Sequence, residues 1–148
     1  MLQRVQSLWL LFASAFTAVT FRFPFFSGKP QAGQAGRNAN PIDPLTGYEA
    51  LDADSNIWLL ILTVLTGLVA FVTIFLYNNR KLQQKLCYLG IFLAIVLYVL
   101  YFLEMQRFLQ GNVAIWAVFY FAILVCYILA LRGIWRDEKL IRSMDRFR

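Results

Sequence analysis

The chain has 148 residues, 60% of them hydrophobic and 15% charged, with a formal net charge of +6. Soluble domains hold roughly half apolar residues and about a quarter charged ones, so this composition excludes an ordinary soluble domain. The length leaves no room for a second one beside a membrane part. Histidine is absent, which excludes a bis-histidine haem, a histidine metal cluster and a histidine proton relay within this chain.

The first element is an apolar segment over residues 5–26, interrupted only by Arg22. Arg4 followed by apolar residues and Ala13-Ser14-Ala15 has the form of a cleaved secretory signal. Apolar character continues to Phe25-Phe26, however, so the sequence predicts a retained first span. Arg22 then falls near the outer boundary, where its long side chain extends to the headgroups.

Residues 27–57 change character. Gly28, Pro30, Gly33, Gly36, Pro41, Pro44 and Gly47 break any periodicity, which predicts an external loop. Turn chemistry concentrates in 40–44 and at Thr46-Gly47, so the half nearer the second span is expected to be ordered. Asp43, Glu49, Asp52 and Asp54 lack the Gly-centred, Glu-terminated pattern of an EF-hand; the expectation is a solvated acidic face. Ser55 or Asn56 is placed to cap the next helix.

Three uninterrupted apolar runs follow, at 58–77, 86–103 and 113–131, each 18 to 20 residues long without an Asp, Glu, Lys or Arg. About 20 helical residues cross the hydrocarbon, and backbone in lipid must satisfy its own amides. The expected fold is therefore an all-α membrane protein of four transmembrane helices in a single domain, 1–148. Ten Lys and Arg side chains fall on the side of Arg4, Arg80, Lys81, Lys85 and the tail, against four (Arg22, Lys29, Arg37, Arg107) on the other. The positive side is retained in the cytoplasm, so both termini are expected inside.

Small residues at close helical spacing mark helix-contact faces in membranes. Ser14 with Ala18, Thr63 with Gly67, Thr66 with Ala70, and Gly90 with Ala94 stand four apart, and Ala114 with Ala117 three apart. Trp58, Trp116, Trp135, Tyr77 and Tyr101 lie near span ends, as an interfacial aromatic belt requires. Cys87 and Cys126 are single, not paired as a membrane thiol oxidoreductase needs, and read as apolar packing. No Asp, Glu, Lys or Arg occupies mid-span, which argues against transport by this chain alone. It also argues against the four-helix multidrug exporters, which depend on a glutamate in the first helix.

Beyond Leu131 the apolar residues recur at helical spacing. Leu140, Met144 and Phe147 make one stripe beside Ile141; Arg136, Lys139, Arg142 and Arg146 make another face. The expectation is a cytoplasmic amphipathic C-terminal helix, bent away from the span at Gly133, resting on anionic headgroups or docking on a protein. Glu138 and Arg142 stand at supportive i, i+4 spacing.

The opening residues 1–7, the mid-chain 79–87 and above all the closing 136–146 resemble a bacterial family of small four-helix membrane proteins, the domain of unknown function numbered 4293. That resemblance extends over the whole chain. It implies the topology and an inner-membrane location in a Gram-negative cell, and carries no activity or catalytic residue.

The function expected is a non-enzymatic accessory subunit of a larger inner-membrane complex. Its expected partners are membrane lipids and other integral membrane proteins; no cofactor, metal, nucleic acid or small-molecule substrate is indicated. The alternative is an oligomeric pore or small-solute transporter, with Thr17, Thr20, Thr63, Thr66 and Thr73 lining a path. An outer-face enzyme using Arg22, Glu104 and Arg107 is the weakest reading, since Glu104 and Arg107 are spaced to pair with each other.

Overall fold

The computed structural model describes residues 3–31, 40, 42–76 and 80–145, with side chains described for 5–31, 40, 42–76 and 81–140. Four helices carry the chain: α1 (Gln3–Val19), α2 (Ile57–Phe75), α3 (Arg80–Met105) and α4 (Ala117–Asp145). Three short strands, β1 (Phe26–Pro30), β2 (Glu49–Leu51) and β3 (Phe108–Val113), lie between them.

The inward side chains explain why these helices associate. Along α3, Gln83, Cys87, Gly90, Ala94, Leu97, Tyr101 and Glu104 are buried, at alternating steps of four and three. That is the seam spacing of packed bundle helices. On α1 the same rhythm gives Gln6, Leu10, Ala13 and Thr17, with Thr20 one step past its end; on α2 it gives Leu59, Thr63, Thr66, Ala70 and Thr73. α1 packs on α2 and α4, and α3 packs on α2 and α4, so the helices close a square in chain order. One core cluster gathers Leu10, Ala13, Ala70, Cys87, Cys126, Tyr127, Ala130 and Ile134; a second, nearer the strands, gathers Phe25, Phe26, Leu51, Leu59, Leu97, Tyr101 and Tyr120.

Outward faces are apolar: Phe71, Phe92, Phe102, Phe121 and Val99 are each more than half exposed. α2, α3 and α4 are long and apolar enough to cross a membrane. α1 is shorter at 17 residues, a rise of about 25 Å.

The first helix therefore differs from the span expected over 5–26. Thr20 closes the last α-type turn on Phe16, while Phe21 and Arg22 bond three residues back to Ala18 and Val19, a tightened terminal turn. Pro24 follows and has no amide to continue with. The apolar Phe25-Phe26 enters a folded cap: the Phe25 ring centroid lies 5.0 Å from that of Tyr101, tilted, and 5.1 Å from that of Tyr120, edge-on. What looks like the end of a span is the core beneath a sheet.

That sheet corrects the expectation of plain loops at this end. Its order is β2-β1-β3, both pairings antiparallel, with Phe26 opposite Leu51 on one side and Val113 on the other. Gly28 faces Gly111 across β1 and β3, and a methyl on Gly28 would meet Gly111 Cα at 2.9 Å and Phe26 Cε1 at 2.9 Å. The Phe26 ring covers both glycines, a device that shields bare backbone in a strand. The pairing register shifts between Lys29 and Pro30, where proline cannot donate to the ladder.

The turn-rich segment is ordered where described, with Gly47 at φ 67°. Residues 32–39, with Gly33, Gly36 and Arg37, lie outside the described residues, as do Pro41 and Tyr77. The acidic residues do not form one solvated face. Asp43 is exposed, but Glu49 is 1% exposed, on the sheet face it shares with Leu51.

α4 corrects the tail as well. It runs unbroken through Gly133 to Asp145, where a bend and a separate surface helix were expected. Gly133 is needed for proximity: a methyl there would meet Gln6 Cγ at 2.8 Å, so its hydrogen is what lets α1 approach α4.

Candidate functional site

Polar side chains collect at the two ends of the bundle. At the end where α1 and α3 begin and α4 finishes, Gln6 is 4% exposed and Gln83 4%. The Gln6 amide donates through Nε2 to Asp137 Oδ2, and Gln84 Nε2 donates to Glu138 Oε2 at 2.6 Å. Two consecutive acids of α4 thus reach in opposite directions, one to α1 and one to α3. Bonds to an ionised carboxylate are stronger than neutral ones, so this end is clamped. Arg136 and Lys139, flanking the two acids, are exposed.

Between α1 and α4 at this level lies a cavity of about 110 Å³, lined by Val5, Gln6, Trp9, Leu129, Gly133, Arg136 and Asp137. Arg136 makes no ion pair among the described residues. Trp9 is half-buried and Val5 exposed, so the cavity opens onto the outer apolar surface of α1.

At the sheet end, Asn56 caps α2. Its backbone is extended, at φ −141° and ψ 141°, and its Oδ1 accepts from Trp58 N at 3.4 Å. The other half of the amide donates to Glu104 Oε1 at 3.1 Å, and Arg107 pairs with Glu104 Oε2 at 2.6 Å. One buried carboxylate thereby joins the start of α2 to the end of α3, as the predicted Glu104–Arg107 spacing partly anticipates. Arg22 is exposed in the turn after α1. Asn40 Nδ2 reaches Ala50 O at 3.1 Å, Asp52 Oδ1 at 2.8 Å and Ser55 Oγ at 3.1 Å, fastening the acidic segment beside β2. Asp43 accepts from Leu45 N at 3.0 Å and the Thr46 hydroxyl at 2.8 Å. These bonds hold its carboxyl below the usual carboxylate range.

Interior polar groups bond mostly to backbone carbonyls. Tyr127 OH donates to Thr66 O at 2.6 Å, linking α4 to α2; Tyr120 OH lies 3.2 Å from both Thr20 O and Phe23 O; Tyr98 OH donates to Tyr120 O. All five candidate pore threonines are buried. The hydroxyls of Thr17, Thr20, Thr66 and Thr73 donate to carbonyls of Ser14, Thr17, Leu62 and Val69.

The predicted contact residues are placed unevenly. Thr63 is fully buried and Ala94 2% exposed; Gly67 faces Thr17 and Gly90 faces the Tyr127 ring. Ser14 is half-buried with its hydroxyl turned to Leu11 O at 2.9 Å, and Ala18 is exposed. Of the tail, Arg136, Lys139 and Leu140 are exposed. Arg142 and Met144 belong to α4 by backbone with side chains outside the described residues, and Arg146 and Phe147 lie outside them altogether. Tyr101, assigned to the aromatic belt, is buried, whereas Trp58, Trp116 and Trp135 are exposed. Cys87 and Cys126 are free and packed in the core.

Sequence reasoning missed Gln6, Gln84, Asp137 and Glu138 as a unit. The signal was present as amide side chains bordering apolar runs, but nothing in spacing along one helix shows which helix supplies the partner.

No curated protein and no solved structure matches the chain. The family model described as "Domain of unknown function (DUF4293)" matches residues 2–147, which takes in both helix ends that form the clamp. The chain belongs to the DUF4293 family.

Proposed function

We propose that this protein is a non-enzymatic accessory subunit of a larger complex in the bacterial inner membrane, with the clamped end cytoplasmic and the sheet on the opposite side. Insertion is supported by the three long apolar helices and their exposed aromatic and aliphatic faces. The orientation is supported by exposed Lys81, Lys85, Arg132, Arg136 and Lys139 at one end, since cations are retained on the cytoplasmic side.

The observation that carries the accessory role is strand β3. Among the described residues it lies at an edge of the sheet, holds no charged residue, and is exposed over Leu109–Val113 with Leu109 67% and Val113 56% exposed. Folded proteins ordinarily blunt such edges with charge, proline or a covering element. An uncharged edge beside exposed Ile115 and Trp116 is a surface that another chain completes. The pore alternative has less support, because four of its five threonine hydroxyls are already bonded to their own helices.

Affinity purification from native membranes in mild detergent, at native abundance, tests the reading. Stoichiometric co-purification of another membrane protein supports it. Recovery of the chain alone, together with solute flux in liposomes that changes when Thr63 or Thr66 is substituted, transfers the assignment to transport.

A further inference from the structure

The cavity between α1 and α4 sets the clamp carboxylate of Asp137 beside Arg136 and Trp9, which neither the clamp nor the sheet uses. Asp137 presents a carboxylate whose Oδ2 is bonded by Gln6, leaving Oδ1 for another donor. Arg136, next in chain, brings a guanidinium to the same cavity, and Trp9 lines it with an indole. Opposite charges and an aromatic face stand together in about 110 Å³, with apolar Val5 and Leu129 also in the lining.

Depth decides what such a cavity meets. Arg132 is the first cation after the apolar part of α4, and Arg136 stands one helical turn beyond it, roughly 6 Å. The headgroup layer on each face of a bilayer is about 5–7 Å thick. On the reading that the bundle is inserted in a membrane, on which this inference rests, the cavity opens at headgroup level.

We propose that this cavity is a binding site for a phospholipid headgroup carrying a primary ammonium, phosphoethanolamine in chemical class. Arg136 takes the phosphate, as guanidinium groups do in forked geometry. Asp137 Oδ1 accepts from the ammonium, which also lies against the Trp9 ring. The acyl chains leave past Trp9 and Leu129 toward the bilayer interior, along the exposed Leu8, Leu11 and Phe12 of α1. A choline headgroup has no N–H to donate to Asp137, and a glycerol headgroup brings no cation, so the site discriminates among lipids of similar length.

Native mass spectrometry of the full chain tests this. The delipidated protein is exposed to mixed micelles with equal fractions of phosphatidylethanolamine, phosphatidylcholine and phosphatidylglycerol. The expected result is one phosphatidylethanolamine retained about tenfold over each of the others, the worth of one charge-assisted hydrogen bond. Asp137→Asn abolishes that preference, and Arg136→Gln weakens retention of all three lipids. Arg136 is exposed, so Arg136→Gln decides the matter if Asp137→Asn does not fold. Equal retention of the three lipids by the unaltered chain, or unchanged behaviour in the folded variants, overturns the proposal. Alkaline carbonate extraction of native membranes separates the two ideas: release of the chain refutes insertion itself, whereas a retained chain without the lipid preference refutes the headgroup site alone.

Discussion

Gln84 and Glu138 meet at 2.6 Å, and this contact ties the start of α3 to the last third of α4. A bond to a charged acceptor contributes about 1.5–3 kcal/mol. Gln84 is only partly buried, so the lower part of that range applies. Gln84→Leu is expected to lower stability by about 1–2 kcal/mol, read as a reduced midpoint of thermal unfolding in detergent. An unchanged midpoint would mean that the clamp at this end is decorative.

Gly67 of α2 lies against Thr17 of α1, where an added methyl would stand 2.7 Å from Thr17 Oγ1. Overfilling a packed interface costs about 1–3 kcal/mol. Gly67→Ala is expected to destabilise within that range, and Thr17→Ala to restore much of the loss in the double variant. Contacting positions show such non-additivity. Simple addition of the two single effects in a double-mutant cycle would contradict this packing.

Asn56 serves two partners, the α2 amide of Trp58 and the Glu104 carboxylate. Asn56→Ala removes a cap, costing about 1 kcal/mol, and one of the partners of Glu104. Asn56→Asp keeps the cap but sets a second carboxylate beside Glu104, which raises the affinity of the pair for a proton. That variant is expected to be weakest at neutral pH and to recover as pH falls through the raised value. Stability of Asn56→Asp independent of pH would show that the Asn56–Glu104 contact does not form.

Asp43 is held below the ordinary carboxylate range, first by the Leu45 amide and then by the Thr46 hydroxyl. Because folding lowers this pKa, the turn's contribution is present above the ordinary range and is lost as pH falls through the lowered value. The Asp43 side-chain NMR signal is expected to titrate below its position in the unfolded chain, while Asp43→Asn leaves the turn insensitive to acid over that window. A midpoint at the unfolded value would contradict the capped turn.

Length and hydropathy suffice to place α2 and α3, because an apolar run without charges has few folded alternatives. They fail at the end of the first run. Phe25 and Phe26 are as apolar as any lipid-facing residue, and only the partners Leu51, Tyr101 and Tyr120 make them a sheet core. The strands escape detection for the same reason: each is six residues or fewer, and pairing between segments distant in sequence, Phe26 with Leu51 and with Val113, leaves no local period. Gly133 illustrates a second limit. Its missing side chain reads as freedom to bend, yet in the folded chain it admits Gln6. Spacing of small residues selects Gly67 and Gly90, each set against another helix. On α1 it selects Ser14 and Ala18 while the inward row is Gln6, Leu10, Ala13 and Thr17, because alanine and serine are also unexceptional on an outer face.

The most direct test of the accessory role is photo-cross-linking in native membranes from a probe placed at Leu109 on the exposed edge of β3, with Phe92 on the outer face of α3 as the lipid-facing control. One discrete adduct with a different membrane protein is expected from Leu109, present at native abundance and absent from the Phe92 probe. Adducts with lipid alone, or only between copies of this chain, would contradict it.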